Sequence, residues 1–134
     1  MRVLLDTNVL ISAARNPAGT PYKAFRKAVT FPNTAYITDQ NIEELRRVFS
    51  RKWPAELPVL NNFISLLLMT VELIHIPAKK VVEESIIRDL DDRAILRAAL
   101  SSDIEVLITG DKDFLEADLT KPLVLSPAAY LQYE

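Results

Sequence analysis

The chain has 134 residues, of which 49% are hydrophobic and 2 are glycine, so we predict a single domain over residues 1–134 and no flexible linker. The absence of cysteine excludes disulfides, thiolate catalysis and thiolate metal sites, and is typical of a reducing compartment. The formal charge of −2 lacks the basic excess of a generic nucleic-acid-binding protein.

Short apolar runs alternate along the chain with segments of helical periodicity. The runs suit buried parallel strands, and they cover residues 3–5, 35–38, 71–76, 105–109 and 122–125. The helical segments cover residues 21–29, 39–49, 57–69, 81–88, 92–101 and 127–133. This alternation predicts crossover units and therefore an α/β fold, a three-layer α/β/α sandwich with a central parallel sheet.

No apolar run is long enough to predict a membrane span. The longest, residues 63–71, is interrupted by Ser65 and Thr70 and is shorter than a bilayer requires. Near the start, Asp6 ends the apolar stretch too early for a signal peptide. We therefore expect a cytoplasmic protein with no membrane partner.

Two acids directly follow predicted strands. Because ligands of open parallel sheets bind beyond the carboxyl ends of the strands, Asp6 and Asp111 are placed to face a crevice. Each also suits a helix N-cap or a turn. Asp111 is nearer to its strand than Asp113, which suits a cap of the short helix that follows.

Two further acids lie in early turns of predicted helices. Glu44 borders the apolar stripe of its helix, whereas Glu43 points away from that stripe, although a solvated acid is the commoner interpretation. Asp92 heads a stripe whose residues three, four and seven positions later are all apolar. Asp89 and Asp91 are alternative caps of that helix, and periodicity alone does not separate Asp91 from Asp92.

If these acids meet, they predict a metal site. Clustered carboxylates repel one another, raise one another's pKa and persist mainly where a cation compensates them. An all-oxygen ligand set favours Mg²⁺ or Mn²⁺. Counting the four acids as neutralised changes the formal charge from −2 to +2. The candidate metal ligands are Asp6, Glu44, Asp92 and Asp111.

The residues around these acids resemble the four acidic motifs of PIN domains. In order along the chain the motifs are LLDTNVL, IEEL, DLDDRAILRAA and ITGDKDF. The resemblance spans essentially the whole chain, and its first and last motifs are the most specific. Within the family, the sequence is most similar to the VapC-type toxins of prokaryotic toxin–antitoxin systems.

The resemblance implies a metal-dependent endoribonuclease that uses Mg²⁺ or Mn²⁺ and leaves a 5′-phosphate and a 3′-hydroxyl. It also implies a homodimer or higher oligomer and a cognate antitoxin. Asn8 and Thr109 would orient the carboxylates of the catalytic and metal-binding quartet. That quartet is Asp6, Glu44, Asp92 and Asp111.

Two basic clusters are candidates for holding an RNA backbone, although each is more often a solvated face. One comprises Arg46, Arg47, Arg51 and Lys52, with Trp53 available for base stacking. The other comprises Lys23, Arg26 and Lys27.

Two other functions fit part of the pattern. A magnesium-dependent phosphatase of the haloacid-dehalogenase type also places an Asp after its first strand, but needs a second Asp where this chain has Asn8. A non-catalytic acidic-pocket interaction module, such as a receiver domain, needs two early acids and a phosphorylatable Asp after its third strand, and neither is apparent. His75, the only histidine, is predicted to be structural and to lie in or beside a strand.

Overall fold

A computed structural model describes all 134 residues of the chain, with five strands and seven α-helices. The strands are β1 (Arg2–Leu5), β2 (Thr34–Thr38), β3 (Glu72–Ile74), β4 (Val106–Ile108) and β5 (Leu123–Leu125). The helices are α1 (Thr7–Arg15), α2 (Thr20–Ala28), α3 (Asp39–Lys52), α4 (Leu57–Thr70), α5 (Leu90–Ser101), α6 (Lys112–Leu115) and α7 (Pro127–Gln132). Short 3-10 segments cover Pro54–Glu56 and Val82–Ile86.

All five strands pair in parallel, in the order β3-β2-β1-β4-β5. From β1 the chain moves outward through β2 to β3, and then returns to the opposite side of β1 for β4 and β5. The direction of winding therefore reverses between β1 and β4. In open α/β sheets, such a switch point creates a crevice beyond the carboxyl ends of the strands.

Helices cover both faces of the sheet, because successive residues of each strand face opposite sides. Val3 and Leu5 of β1 join a core of 20 buried residues formed mainly with α1 to α4. Leu4, between them, joins a second core of nine buried residues, which includes Leu96 of α5 and Phe114 of α6. The predicted three-layer sandwich with a central parallel sheet is confirmed.

Polar residues start five of the seven helices, and all of them except Asp89 lie at or shortly after the end of a strand. Each of these residues has an extended backbone, and its side-chain oxygen accepts a backbone N–H of the first helical turn. They are Asp6 for α1, Thr38 for α3, Asp89 for α5, Asp111 for α6 and Ser126 for α7.

Helix α1 is absent from the sequence-based prediction. Asp6 was considered as a helix N-cap or a turn residue, but no helix was predicted after it. Asp6 in fact caps a helix whose Val9, Leu10, Ala13 and Ala14 are buried. These apolar residues recur at helical spacing, and together with an N-cap they are the signal that identifies the helix.

Three other predicted elements differ in kind or in burial. Residues 81–88 form a 3-10 segment over Val82–Ile86 instead of an α-helix, and Glu84 is its only buried residue. The strands predicted as buried at 71–76 and 122–125 are shorter edge strands, in which Glu72, Leu73 and Leu123 are exposed. An edge strand has a neighbour on one side only, so apolar composition alone does not ensure its burial.

No helix is both long and apolar enough to span a membrane, and the longest two, α3 and α4, have 14 residues each.

The second core provides a test of the packing of α5. Leu96 is fully buried there, so Leu96→Ala should lower the free energy of unfolding by about 2–5 kcal/mol, as measured by urea denaturation. Leu90 on the same helix is 69% exposed, and Leu90→Ala should change that free energy by less than about 0.5 kcal/mol. Equal losses in the two variants would show that α5 does not pack as described.

Candidate active site

Asp6 lies at the carboxyl end of β1, directly at the switch point between β1 and β4. Its backbone remains extended, with φ −79° and ψ 156°, so the alternation of the strand directs its side chain to the same face as Leu4. The carboxylate is buried, and Oδ1 accepts the backbone N–H of Thr7 at 2.8 Å. The local fold therefore buries an acid where it also caps α1.

Thr109 and Asn8 hold the other oxygen of Asp6. The hydroxyl of Thr109, at the end of β4, donates to Oδ2 of Asp6 at 2.8 Å. The Asn8 amide lies 3.3 Å from both Oδ2 of Asp6 and Oγ1 of Thr109, and its Oδ1 accepts the N–H of Gly110 at 2.8 Å. The ends of β1 and β4 are thus joined by a polar network around one carboxylate.

Burial raises the pKa of Asp6 to about 6. The hydrogen bonds from Thr109 and Thr7 oppose this shift, whereas the negative charges of Glu44 and Asp111 add to it. Asp6 therefore lies within the electrostatic reach of two of the other predicted ligands.

Asp92 lies near Asp6 and Asp111. It lies in the first turn of α5, and its pKa is raised to about 8 by burial, by the charge of Asp6 and by hydrogen bonding of its protonated form to Asp111. Asp111 caps α6 by accepting the N–H of Asp113 at 2.9 Å, and its own N–H donates to Thr109 at 3.0 Å. Asp6, Asp92 and Asp111 therefore share one rim of the sheet.

Glu44 approaches this group from α3, on the opposite face of the sheet. Its side chain is half-buried and its Oε1 accepts a hydrogen bond from the Gln40 amide at 3.0 Å, whereas Glu43 is exposed. The difference in exposure between Glu43 and Glu44 agrees with the predicted position of Glu44 at the border of the apolar stripe. Gln40 was not predicted as a site residue.

The three acids around the third motif have different surroundings. Asp89 is the N-cap of α5, where its Oδ1 accepts the N–H groups of Asp91 and Asp92 at 2.8 and 3.1 Å. Asp91 is exposed, and Asp92 is half-buried. A cavity of about 200 Å³ beside the rim is lined by four acids, Asp89, Asp92, Asp113 and Glu116.

The expectation that Asp113 caps α6 is wrong, since Asp111 is the cap.

The donor chemistry of the rim fits a hard divalent cation, because every candidate ligand is a carboxylate and the charges of Asp6, Asp92 and Asp111 oppose one another. No three Asp, Glu or His side chains are arranged closely enough to hold an ion between them as they stand. The fit therefore rests on the ligand types and on their mutual repulsion, and binding would require the carboxylates to draw together.

A buried polar group beneath the rim was missed by the sequence analysis. Asn41 donates to Oγ1 of Thr7 at 2.7 Å, and its Oδ1 accepts the backbone N–H of Thr38 at 2.7 Å. These bonds link the start of α1 to the start of α3, and hence Asp6 to Glu44. The Thr-x-x-Asn spacing at 38–41 is a capping-box pattern, which was the available signal.

The basic residues of α3 lie along the helix at increasing distance from the rim. Arg46, Arg47, Arg51 and Lys52 are all exposed. At a rise of 1.5 Å per residue, Arg51 is about 10 Å further along the axis than Glu44.

The indole ring of Trp53 is less available for base stacking than the sequence suggested. The guanidinium of Arg15 lies 3.8 Å from the centre of its ring, and the ring packs edge-on against Phe49. One face of the indole is therefore already occupied.

His75 directly follows β3, and its imidazole is exposed, with Nδ1 3.1 Å from Oδ2 of Asp39. Asn8 binds Asp6, Thr109 and Gly110 through its amide. It therefore positions neighbouring groups at the place where a haloacid-dehalogenase phosphatase needs an acid.

The protein is an α/β/α sandwich in which carboxylates from four motifs lie around the switch point of a parallel sheet. These features place it among the α/β proteins with an acidic site. The family model of the PIN domain matches residues 2–113. The chain belongs to the PIN-domain family, as the motifs predicted.

Solved structures share the fold. VapBC2 from Rickettsia felis, bound to a DNA fragment from its promoter, matches with a TM-score of 0.71 and 18% identity over 94% of this chain and 98% of that chain. Mycobacterium tuberculosis VapC20, a Sarcin-Ricin loop cleaving toxin, matches with a TM-score of 0.60 and 14% identity over 84% of this chain and 92% of that chain. At these identities the likeness establishes the fold. None of the curated proteins matches significantly.

The raised pKa values predict that the metal-free protein loses stability as the pH rises. Between the ordinary Asp value of 3.8 and the folded values of about 6 and 8, the folded chain binds more protons than the unfolded chain. The contribution of these two acids to stability should therefore be greatest below about pH 4 and should decline as the pH rises to about pH 8. Melting temperatures measured in EDTA across this range test the expectation.

The matched variants are Asp92→Asn and Asp91→Asn. Asp92→Asn should flatten the decline and melt at or above the parent temperature at pH 8, because it removes a charge from the repelling group. Asp91 is exposed, so Asp91→Asn should retain the slope of the parent. A flat parent profile, or identical profiles for the two variants, would contradict the assignment of Asp92 to the group.

Proposed function

We propose that this PIN-domain protein is a metal-dependent endoribonuclease that hydrolyses RNA phosphodiester bonds, and that it is the toxin component of a toxin–antitoxin system. The observation that carries the proposal is the convergence of a buried Asp6 with Asp92 and Asp111 at the switch point of the sheet. Strongly perturbed pKa values cluster at functional sites, so buried acids with raised pKa values beside a crevice mark a candidate functional site.

In this proposal Asp6, Glu44, Asp92 and Asp111 hold Mg²⁺ or Mn²⁺. When bound, such an ion lowers the pKa of a water molecule and polarises the phosphodiester. Thr109 and Asn8 fix the orientation of Asp6, and Gln40 fixes that of Glu44. Asp89 fixes the start of α5, and so the position of Asp92, through two backbone N–H groups.

The toxin assignment draws on the proteins that share the fold. One is described as a Sarcin-Ricin loop cleaving toxin, and another was solved as VapBC2 with promoter DNA. We extend this to the present chain as a proposal: RNA as substrate, an antitoxin as partner, a homodimer or higher oligomer, and action in the cytoplasm. Arg46 and Arg47, on the same helix as Glu44, are proposed to contact the RNA backbone.

The proposal predicts ribonuclease activity that EDTA abolishes and that Mn²⁺ or Mg²⁺ restores. Asp6→Asn and Asp92→Asn should reduce cleavage of a labelled RNA to background. Thr109→Val should lower cleavage by about 10- to 100-fold, because it removes a group that orients a ligand. Gel analysis of the products under single-turnover conditions measures these losses.

Metal binding should also be visible without catalysis. At a metal concentration one hundred times the dissociation constant, the parent should gain about 2.7 kcal/mol of stability, measured as a rise in melting temperature, whereas Asp92→Asn should gain little. Asp89→Asn keeps a capping oxygen and should retain both the metal response and cleavage. Metal-independent cleavage would rule out the mechanism, and loss of the metal response in Asp89→Asn but not in Asp92→Asn would move the third ligand to Asp89.

The toxin proposal is tested in a growing bacterial host. Induced expression of the parent should slow growth, and Asp6→Asn at an equal soluble level should relieve the effect. Equal toxicity of the two forms would show that growth inhibition does not come from catalysis.

A further inference from the structure

A second charged site lies at the opposite edge of the sheet from the carboxylates. Lys23, Arg26, Lys27 and Thr30 occupy one face of α2 and its C-terminal turn, since they follow the spacing i, i+3, i+4 and i+7. Together with Phe31 and Asn33 they line an open cleft of about 400 Å³ that contains no acid. We call these six residues the basic cleft.

Two of the three positive charges of the basic cleft are available to a ligand. Lys23 and Arg26 are exposed, and neither side chain makes an ion pair or a hydrogen bond within the chain. Lys27 is anchored, because its Nζ donates to the carbonyl oxygens of Tyr130 and Tyr133 at 2.7 and 2.8 Å. The cleft therefore combines one fixed and two free cationic groups.

These cations are not needed to complete α2. Its C-terminal carbonyl groups have other partners: the hydroxyl of Thr30 donates to the carbonyl of Arg26, and the amide of Asn33 donates to that of Lys27 at 3.2 Å. Capping of the end of α2 is thus already provided by uncharged side chains, and Lys23 and Arg26 are not needed for it.

Phe31 stands beside these cations with 91% of its surface exposed, the largest exposure among the large apolar side chains. An isolated exposed ring bordered by cations suits the stacking of a nucleobase whose phosphates bind the neighbouring charges. A membrane surface fits less well, because it would need a broader apolar face and the chain as a whole carries −2.

The position of the cleft relates it to the carboxylate rim. Asn33 immediately precedes β2, whereas the rim lies beyond the carboxyl ends of the strands. A five-residue strand at about 3.3 Å per residue separates the two edges by about 15 Å. One single strand of several nucleotides is long enough to reach from one edge to the other.

We propose that the basic cleft is an RNA-binding site remote from the carboxylates, in which Lys23 and Arg26 bind phosphates and Phe31 stacks on a base. The choice of RNA as ligand rests on the ribonuclease function proposed above. The site raises affinity for longer single strands and takes no part in bond cleavage.

Binding is measured by fluorescence anisotropy with a labelled single-stranded RNA of about 16 nucleotides, in EDTA and over a range of salt concentrations. The slope of log K against log salt should be smaller by about 1.4 in Lys23→Gln/Arg26→Gln, since each lost phosphate contact contributes about 0.7. Phe31→Ala should weaken binding by about five- to a hundredfold, and Phe31→Leu, which keeps an apolar group but no ring, should also weaken it. Lys79→Gln/Lys80→Gln removes two exposed charges elsewhere and should keep the parent slope.

Three results would overturn the site. The first is an equal change in slope for the Lys79/Lys80 control, and the second is parental affinity for RNA in Phe31→Ala. The third is that the Lys23/Arg26 variant keeps its RNA binding and instead loses binding to phosphatidylserine vesicles. With Mn²⁺ present, the Lys23/Arg26 variant should cleave the long RNA with a raised KM and an unchanged kcat, and should cleave a dinucleotide like the parent. If the variants bind RNA like the parent and the parent cleaves RNA, the basic cleft is refuted as an RNA-binding site and the ribonuclease proposal stands. Weakened binding together with no cleavage by the parent would support the site and refute the ribonuclease proposal.

Discussion

The hydrogen bond from Thr109 to Asp6 joins the ends of β1 and β4, and the arrangement of the carboxylate rim depends on it. It satisfies a carboxylate that burial would otherwise leave short of partners, and it does so at the point where the winding of the sheet reverses. Asp6 thereby faces the helices of one layer while its neighbour Thr7 binds Asn41 and, through it, the start of α3. Asp6 and its neighbour Thr7 therefore connect the helices on the two faces of the sheet.

The charges of the molecule are divided between the two edges of the sheet. The carboxyl edge gathers the acids of four motifs, whereas the amino edge carries the basic cleft. A formal charge of −2 averages over these two regions and says little about either one. For a polyanionic ligand, the separation would favour approach at the amino edge and disfavour approach at the metal-free rim.

The sequence was sufficient to predict the layers, the parallel sheet and the gathering of acids at one edge of it, because alternation of apolar runs and the position of acids after strands are local signals. It could not separate Asp91 from Asp92, since both head apolar stripes, and only the packing of α5 leaves Asp91 exposed. It missed α1 although the signal is local, a capping Asp6 followed by apolar residues at helical spacing. It also missed the links through Gln40 and Asn41, which depend on helices that only the tertiary fold brings together.

Asp6 and Asp111 each cap a helix with one oxygen while facing the rim, so two of the acids contribute to the fold as well as to the site. Only certain substitutions at these two positions can therefore remove the activity without also destabilising the fold. Replacement by Asn or Ser retains an oxygen that accepts the helix N–H, whereas Ala removes the cap and the ligand together. A descendant of this protein that abandoned catalysis while keeping its fold would be expected to carry an amide or a hydroxyl at these two positions, leaving a record of the former site in its helix caps.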